Sequence, residues 1–236
     1  MAGLKGILKD PLLSVVMPVY NEKDTIETII PRVLAVPIRT ELIVVDDGST
    51  DGTRDLLTAL HRQHPFKLIF QPRNAGKGAA LRRGFQEVTG DLVVIQDADL
   101  EYSPEEFPDL IELICQGRAD VVYGSRFIGR HRVFMFTHYA GNRLLTLITN
   151  ALYNTMLTDM ETCYKVMRTE VLRSFTLDSN GFGIEPELTA KIFKRNYRVY
   201  EVPITYDGRG YEDGKKITWR DGVVALWVLL KYRFRE

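Results

Sequence analysis

The stretch Asp91-Leu92-Val93-Val94-Ile95-Gln96-Asp97-Ala98-Asp99-Leu100-Glu101 runs through four apolar residues and then turns acidic at Asp97, Asp99 and Glu101. An apolar run this short, rich in β-branched residues and without polar alternation, reads as a strand with no wet face. Side chains alternate along an extended chain, so Asp97, Asp99 and Glu101 share a direction if the strand conformation continues past Ile95. The same pattern recurs along the first half. Leu13–Met17 runs into Pro18-Val19-Tyr20-Asn21-Glu22, and Glu41–Val45 runs into Asp46-Asp47-Gly48-Ser49 with Asp51-Gly52-Thr53 behind it. Lys67–Phe70 and Asp120–Tyr123 complete the set.

Segments of helical period separate these strands, at Asp24–Leu34, Asp51–His61, Ala75–Val88 and Pro104–Gln116. Ser103 and Glu106 predict a capping box at the start of the last. Strand and helix in alternation specify an α/β fold with a mostly parallel central sheet flanked by helices. In such open sheets ligands bind beyond the carboxyl ends of the strands, where the acids stand. After Gly124 the pattern changes to a basic, aromatic stretch, Ser125–Tyr139, a helix predicted at Asn142–Leu157, short mixed elements, and a C-terminal helix near Asp221–Tyr232. No repeat or Pro/Ser-rich linker divides residues 1–236, which read as a single domain.

The chain has 236 residues, 45% hydrophobic and 26% charged, enough for a substantial core. Its 31 basic and 31 acidic residues cancel, so no global positive field favours nucleic acid. Cys115 and Cys163 are too few for a disulfide framework or a structural zinc site and read as reduced thiols of a cytoplasmic protein. Residues 1–13 lack the apolar core of a secretory signal, and no segment reaches the roughly 20 apolar residues of a membrane span.

Paired carboxylates such as Asp97 and Asp99 are hard oxygen ligands suited to Mg²⁺ or Mn²⁺ held jointly with phosphate oxygens, with Glu101 as a possible third ligand. Ser49 and Asp51 fit turn and cap chemistry equally well. Asn74-Ala75-Gly76-Lys77-Gly78 opens a helix, so its N–H groups could face a phosphate, although a turn with a helix cap explains it nearly as well. Gly208–Ile217 combines three glycines with Arg209, Lys215 and Lys216, as expected of a loop that folds over an anion; a solvated hairpin is the alternative. No Gly-x-Gly-x-x-Gly follows the first strand, which argues against a dinucleotide-dependent oxidoreductase.

The ordered set Pro18–Glu22, Val45–Ser49, Asn74–Gly78, Asp97-Ala98-Asp99 and Gly124-Ser125-Arg126-Phe127 resembles family 2 glycosyltransferases, and within them the dolichyl-phosphate mannose synthase branch. The resemblance covers about Leu13 to Ile217. It implies a GT-A fold, inversion at the sugar carbon and a nucleotide-sugar donor of the GDP-mannose or UDP-glucose type. Residues 1–124 are then the donor half and 125–236 the acceptor half. It places Pro18, Tyr20 and Glu22 around the nucleoside, Asp47 on the base with Asp46 beside it, Asp97 and Asp99 on the metal, and Lys77, Arg209 and Lys216 near phosphate. Thr158-Asp159-Met160-Glu161-Thr162-Cys163-Tyr164-Lys165 stands where the relatives carry Asp-x-x-Ser/Thr-Gly-Phe/Tyr-Arg. Cys163 replaces a glycine there, which bears on the loop's geometry.

Glycosyl transfer leaves negative charge on a nucleoside diphosphate, so cations must meet the leaving group. A hydroxyl acceptor also needs a general base, for which Asp159 is the candidate; a phosphate acceptor is already ionised. Arg126, Arg130, Arg132 and Arg143 accompany Phe127, Phe134, Met135 and Phe136, a mixture suited to a lipid phosphate at a membrane surface; a basic patch over an aromatic core explains it equally well. Glu185 and Glu187 read as first-turn acids of a helix or as part of the same cavity wall, the former preferred. The expected acceptor is a polyprenyl or dolichyl phosphate, with peripheral contact to the cytoplasmic membrane face. A saccharide hydroxyl is the alternative acceptor, and a non-catalytic nucleotide-binding module the alternative of another class.

Overall fold

The computed structural model describes residues 6–131, 136–208 and 219–235. Seven strands form one sheet: β1 (Leu13–Val19), β2 (Thr40–Asp46), β3 (Lys67–Phe70), β4 (Leu92–Ile95), β5 (Val121–Ser125), β6 (Lys165–Arg168) and β7 (Val199–Pro203). Their spatial order is β3-β2-β1-β4-β6-β5-β7, and β6 alone runs antiparallel to its neighbours. The near-continuous apolar runs of β1, β2 and β4 are explained by burial on both faces.

Helices α1 (Ile26–Leu34), α2 (Thr53–Gln63), α3 (Lys77–Phe85) and α4 (Phe107–Cys115) follow the first four strands. The capping box before α4 does not form. Residues Pro104–Glu106 make a 3-10 turn, the Ser103 hydroxyl caps nothing, and Glu106 Oε1 instead accepts the Thr205 N–H at 2.7 Å. Residues 125–236 supply α5 (Phe136–Tyr153), α6 (Thr169–Arg173), α7 (Ile184–Lys194) and α8 (Trp219–Phe234). Helix α5 starts six residues earlier than Asn142, the predicted start. Among the described residues no helix is long and apolar enough to cross a membrane.

Two features of topology build the site. Strand order reverses at β1, so the carboxyl ends of β2, β1 and β4 stand side by side at a switch point. Because β6 is reversed, the segment leading into it, Asp159–Tyr164, arrives at that same edge of the sheet.

Candidate active site

The loops after β1 and β2 are locked to one another before any ligand arrives. Asn21, at φ +54°, donates its N–H to Ser49 Oγ and accepts the Thr50 N–H on Oδ1, each at 2.9 Å. Asp51 Oδ1 accepts both the N–H and the hydroxyl of Thr53 at the start of α2. Ser49 and Asp51 are therefore turn and cap residues.

Neighbouring Asp46 and Asp47 divide the work. Asp46 is fully buried, turned away from the cavity, accepting the N–H groups of Gly48 and Ser49 and pairing with Arg54 at 2.7 Å. Its expected place beside the nucleoside is corrected: it braces the turn. Asp47 faces the cavity and accepts Ala75 N–H at 2.9 Å and Gly76 N–H at 2.7 Å. Burial raises its pKa above the ordinary range, outweighing these two bonds.

That contact also decides the Asn74–Gly78 loop. A Cβ on Gly76 would stand 2.4 Å from the Asn180 carbonyl oxygen, and one on Gly78 2.3 Å from that of Ser179. Ala79 donates its N–H to Asn180 O at 2.9 Å. The glycines thus admit the 179–181 backbone, and the N–H groups of Ala75, Gly76 and Ala79 are bound to protein. Lys77 Nζ reaches the cavity instead, 2.9 Å from both oxygens of Asp97 and 3.4 Å from Glu185. Burial alone would lower its pKa, but Asp97 and Glu185 hold it well above the usual lysine value.

Beyond Ile95 the chain does not stay extended. Gln96 still donates its N–H to Val16 O at 3.0 Å, but Ala98 and Asp99 form a turn, Leu100 lies at φ +63°, and Asp99 Oδ1 accepts the Glu101 N–H at 3.1 Å. The alternation argument for three co-directed acids fails for this reason. Asp97, Asp99 and Glu101 all line one cavity, yet Glu101 Oε2 also accepts the Tyr206 hydroxyl at 2.7 Å. Among the described residues no three His, Cys, Asp or Glu side chains are grouped to hold an ion by themselves. Asp97 and Asp99 still fit a divalent ion that completes its shell with phosphate oxygens and water, as Mg²⁺ and Mn²⁺ do.

Asp159 is corrected as a general base. It is fully buried, does not line the cavity, and forms a two-pronged ion pair with Arg126, both bonds 2.7 Å, reinforced by the Arg126 N–H at 3.1 Å. Its own N–H, like that of Thr158, goes to Glu201. Arg126 does line the cavity. Two acids that face it were missed or misplaced by sequence reasoning. Glu185 is a wall residue bridging Lys77 and Lys165, the latter at 2.6 Å. Glu161 lines the cavity two residues after Asp159. Cys163 needs no positive φ; its thiol sits under the β4 end, 3.7 Å from Ile95 O, and burial raises its pKa.

Pro18, Tyr20, Glu22 and Asp47 line one end of this cavity, which occupies about 1560 Å³. The other end passes between α5 and α8, along Phe136, Tyr139, Leu144, Leu145, Ile148, Val223 and Leu226. Arg209, Lys216 and the rest of their loop, with Arg132, Phe134 and Met135, lie outside the described residues.

The family model described as Glycosyl transferase family 2 matches residues 14–175, from β1 through α6. The chain belongs to that family. A dolichol-phosphate mannosyltransferase of Pyrococcus furiosus is 31% identical over 86% of this chain, and a polyprenol monophosphomannose synthase of Mycolicibacterium smegmatis is 31% identical over 83%. The chain spans 58% of the first relative's length and 77% of the second's. Among solved structures, glucosyl-3-phosphoglycerate synthase of Mycobacterium tuberculosis superposes with a TM-score of 0.74 at 24% identity, covering 94% of this chain and 80% of that one. That likeness establishes the shared fold; the synthase was crystallised with UDP and Mn²⁺, and also with UDP and Mg²⁺.

Proposed function

We propose that this family 2 member is an inverting, metal-dependent hexosyltransferase that moves a sugar from a nucleotide-sugar to a polyprenyl phosphate. The observation that carries the reading is a single cavity with two characters. Its acidic end holds Asp47, Asp97 and Asp99, and its apolar end runs between α5 and α8. A charged donor and a lipid-bearing acceptor would fit end to end in it. The two relatives named for transfer to dolichol phosphate and polyprenol phosphate support the acceptor class.

In this reading Pro18, Tyr20, Glu22 and Asp47 seat the nucleoside, while Asp97 and Asp99, with Glu101 nearby, hold Mg²⁺ or Mn²⁺. The bound ion supplies positive charge to the departing nucleoside diphosphate. Lys77 adds a fixed cation at the same end, and Arg126, oriented by Asp159, presents a guanidinium edge toward the acceptor. Arg209 and Lys216 would complete the phosphate contacts. An ionised phosphate supplies its own nucleophilic oxygen, so the burial of Asp159 in an ion pair is compatible with it.

The outer faces of α5 and α8 support contact with the cytoplasmic face of a membrane. Leu147 and Trp227 are 64% and 60% exposed and stand off the cavity, while Thr146 and Thr149 are buried. A panel of nucleotide-sugars with Mg²⁺ or Mn²⁺ tests the whole reading. Nucleoside diphosphate release that requires polyprenyl phosphate, and rises with anionic vesicles, is expected; release that responds only to saccharides would refute the acceptor, and saturable binding without release would refute the enzyme.

A further inference from the structure

Glu161 is the acid in the acceptor half that the protein leaves unused. It lines the cavity, and its Oε1 is buried without a hydrogen-bond partner among the described residues. Leaving such an atom unpaired is costly unless a ligand completes it.

The charges around it explain its state. The groups facing it are Lys165 on β6, Glu185 on α7, Arg126 after β5 and Asp159 in its own loop. Arg126 is held by Asp159 and Lys165 by Glu185, so each cation is matched by another acid before Glu161 is counted. Glu161 is the surplus carboxylate. Desolvation, with the charges of Glu185 and Asp159, outweighs the attraction of Lys165 and Arg126 and pushes its pKa up to about 7.

We infer that Glu161 meets the acceptor's phosphate as the neutral acid, its carboxyl O–H donating a hydrogen bond to a phosphate oxygen and so selecting an anionic acceptor. This rests on the polyprenyl phosphate reading above. A dianionic phosphate brought beside an ionised, partly buried carboxylate would be repelled, whereas a protonated one binds it. No proton need be lost in the step itself. A phosphate oxygen forms its bond to the sugar's C1, the C1–O bond to the donor's pyrophosphate breaks, and its electron pair leaves with the nucleoside diphosphate.

The sign of the pH dependence tests this. In the wild type, kcat/KM for a short-chain polyprenyl phosphate should fall above pH 7 as Glu161 ionises. Glu161→Gln keeps a neutral donor that cannot ionise, so its ratio to the wild type should climb by up to about tenfold per pH unit there. Calorimetry with nucleoside diphosphate and Mn²⁺ checks that the variant still folds. Parallel profiles for the two proteins would overturn the inference and leave the proposed reaction standing. Activity that instead rises through pH 7, with Glu161→Gln inactive toward a sugar hydroxyl, would make Glu161 a general base and overturn both. Infrared difference spectra give a readout that needs no turnover: adding the polyprenyl phosphate at pH 7 should raise a protonated-carboxyl band that Glu161→Gln lacks. That band without nucleotide release would sustain the inference and refute the reaction; its absence would refute the inference.

Discussion

The ends of β1, β2 and β4 and the α5–α8 helix pair face the same cavity but are built on opposite principles. At the strand ends the polar groups are tied down in advance: Asp47 grips two backbone N–H groups, Asn21 joins two loops, and Lys77 is set against Asp97. Of the helix pair, α8 buries apolar Ala225, Val228 and Leu229 in the usual way, whereas α5 departs from the amphipathic rule. On α5 the fully buried positions are Thr146 and Thr149, with Thr146 Oγ1 accepting the Met160 N–H at 3.1 Å, while Leu144 and Leu147 are exposed. A leaving group's charge is stabilised best by dipoles that need not reorganise, whereas a flexible apolar chain needs area rather than fixed geometry.

If that contrast holds, disturbing each region should fail differently. Asp97→Asn should give the largest effect, a loss of transfer on the order of 10²–10³-fold at saturating acceptor, measured as nucleoside diphosphate release. Retention of near-normal turnover would remove the strand ends from the chemistry. Asp159→Asn should act on stability: it leaves Arg126 partly buried without its counter-charge, costing about 3 kcal/mol in denaturant unfolding. A stable variant that loses only turnover would return Asp159 to a chemical role.

Gly78→Ala probes the seam between the regions, since the new methyl meets the Ser179 and Asn180 backbone. The expected cost is about 1–3 kcal/mol of stability, with weaker nucleotide binding because the same loop carries Lys77. Leu147→Ser, on the outer face of α5, should have the smallest effect, about a fivefold loss in partition to anionic vesicles from roughly 1 kcal/mol of apolar burial, with donor affinity unchanged. Equal vesicle binding by this variant would confine α5 to packing.

Much of the strand-end region was legible in the sequence because each signal is local. A short apolar run followed by acids identifies both a buried strand and its carboxyl end, and Asp47, Asp97 and Asp99, with Tyr20 and Glu22, do line the cavity there. Asp46 shows the limit: two adjacent aspartates are indistinguishable in composition, and only the turn's hydrogen bonds separate the brace from the wall residue. The acceptor side was less legible. Helical periodicity assigns leucines to the core, so an exposed apolar face on α5 runs against the only signal available.

The sequence by itself determined the α/β alternation, the family and the set of acids from which a site is made, because these depend on residues close together in the chain. Only the tertiary structure decided which acids face the cavity. The reversal of β6 carries Asp159 and Glu161 to the same edge, and long-range pairing with Arg126 buries the first while Glu161 remains on the cavity wall. Charge pairing between distant segments has no local signature, and it is what separates a structural carboxylate from an available one.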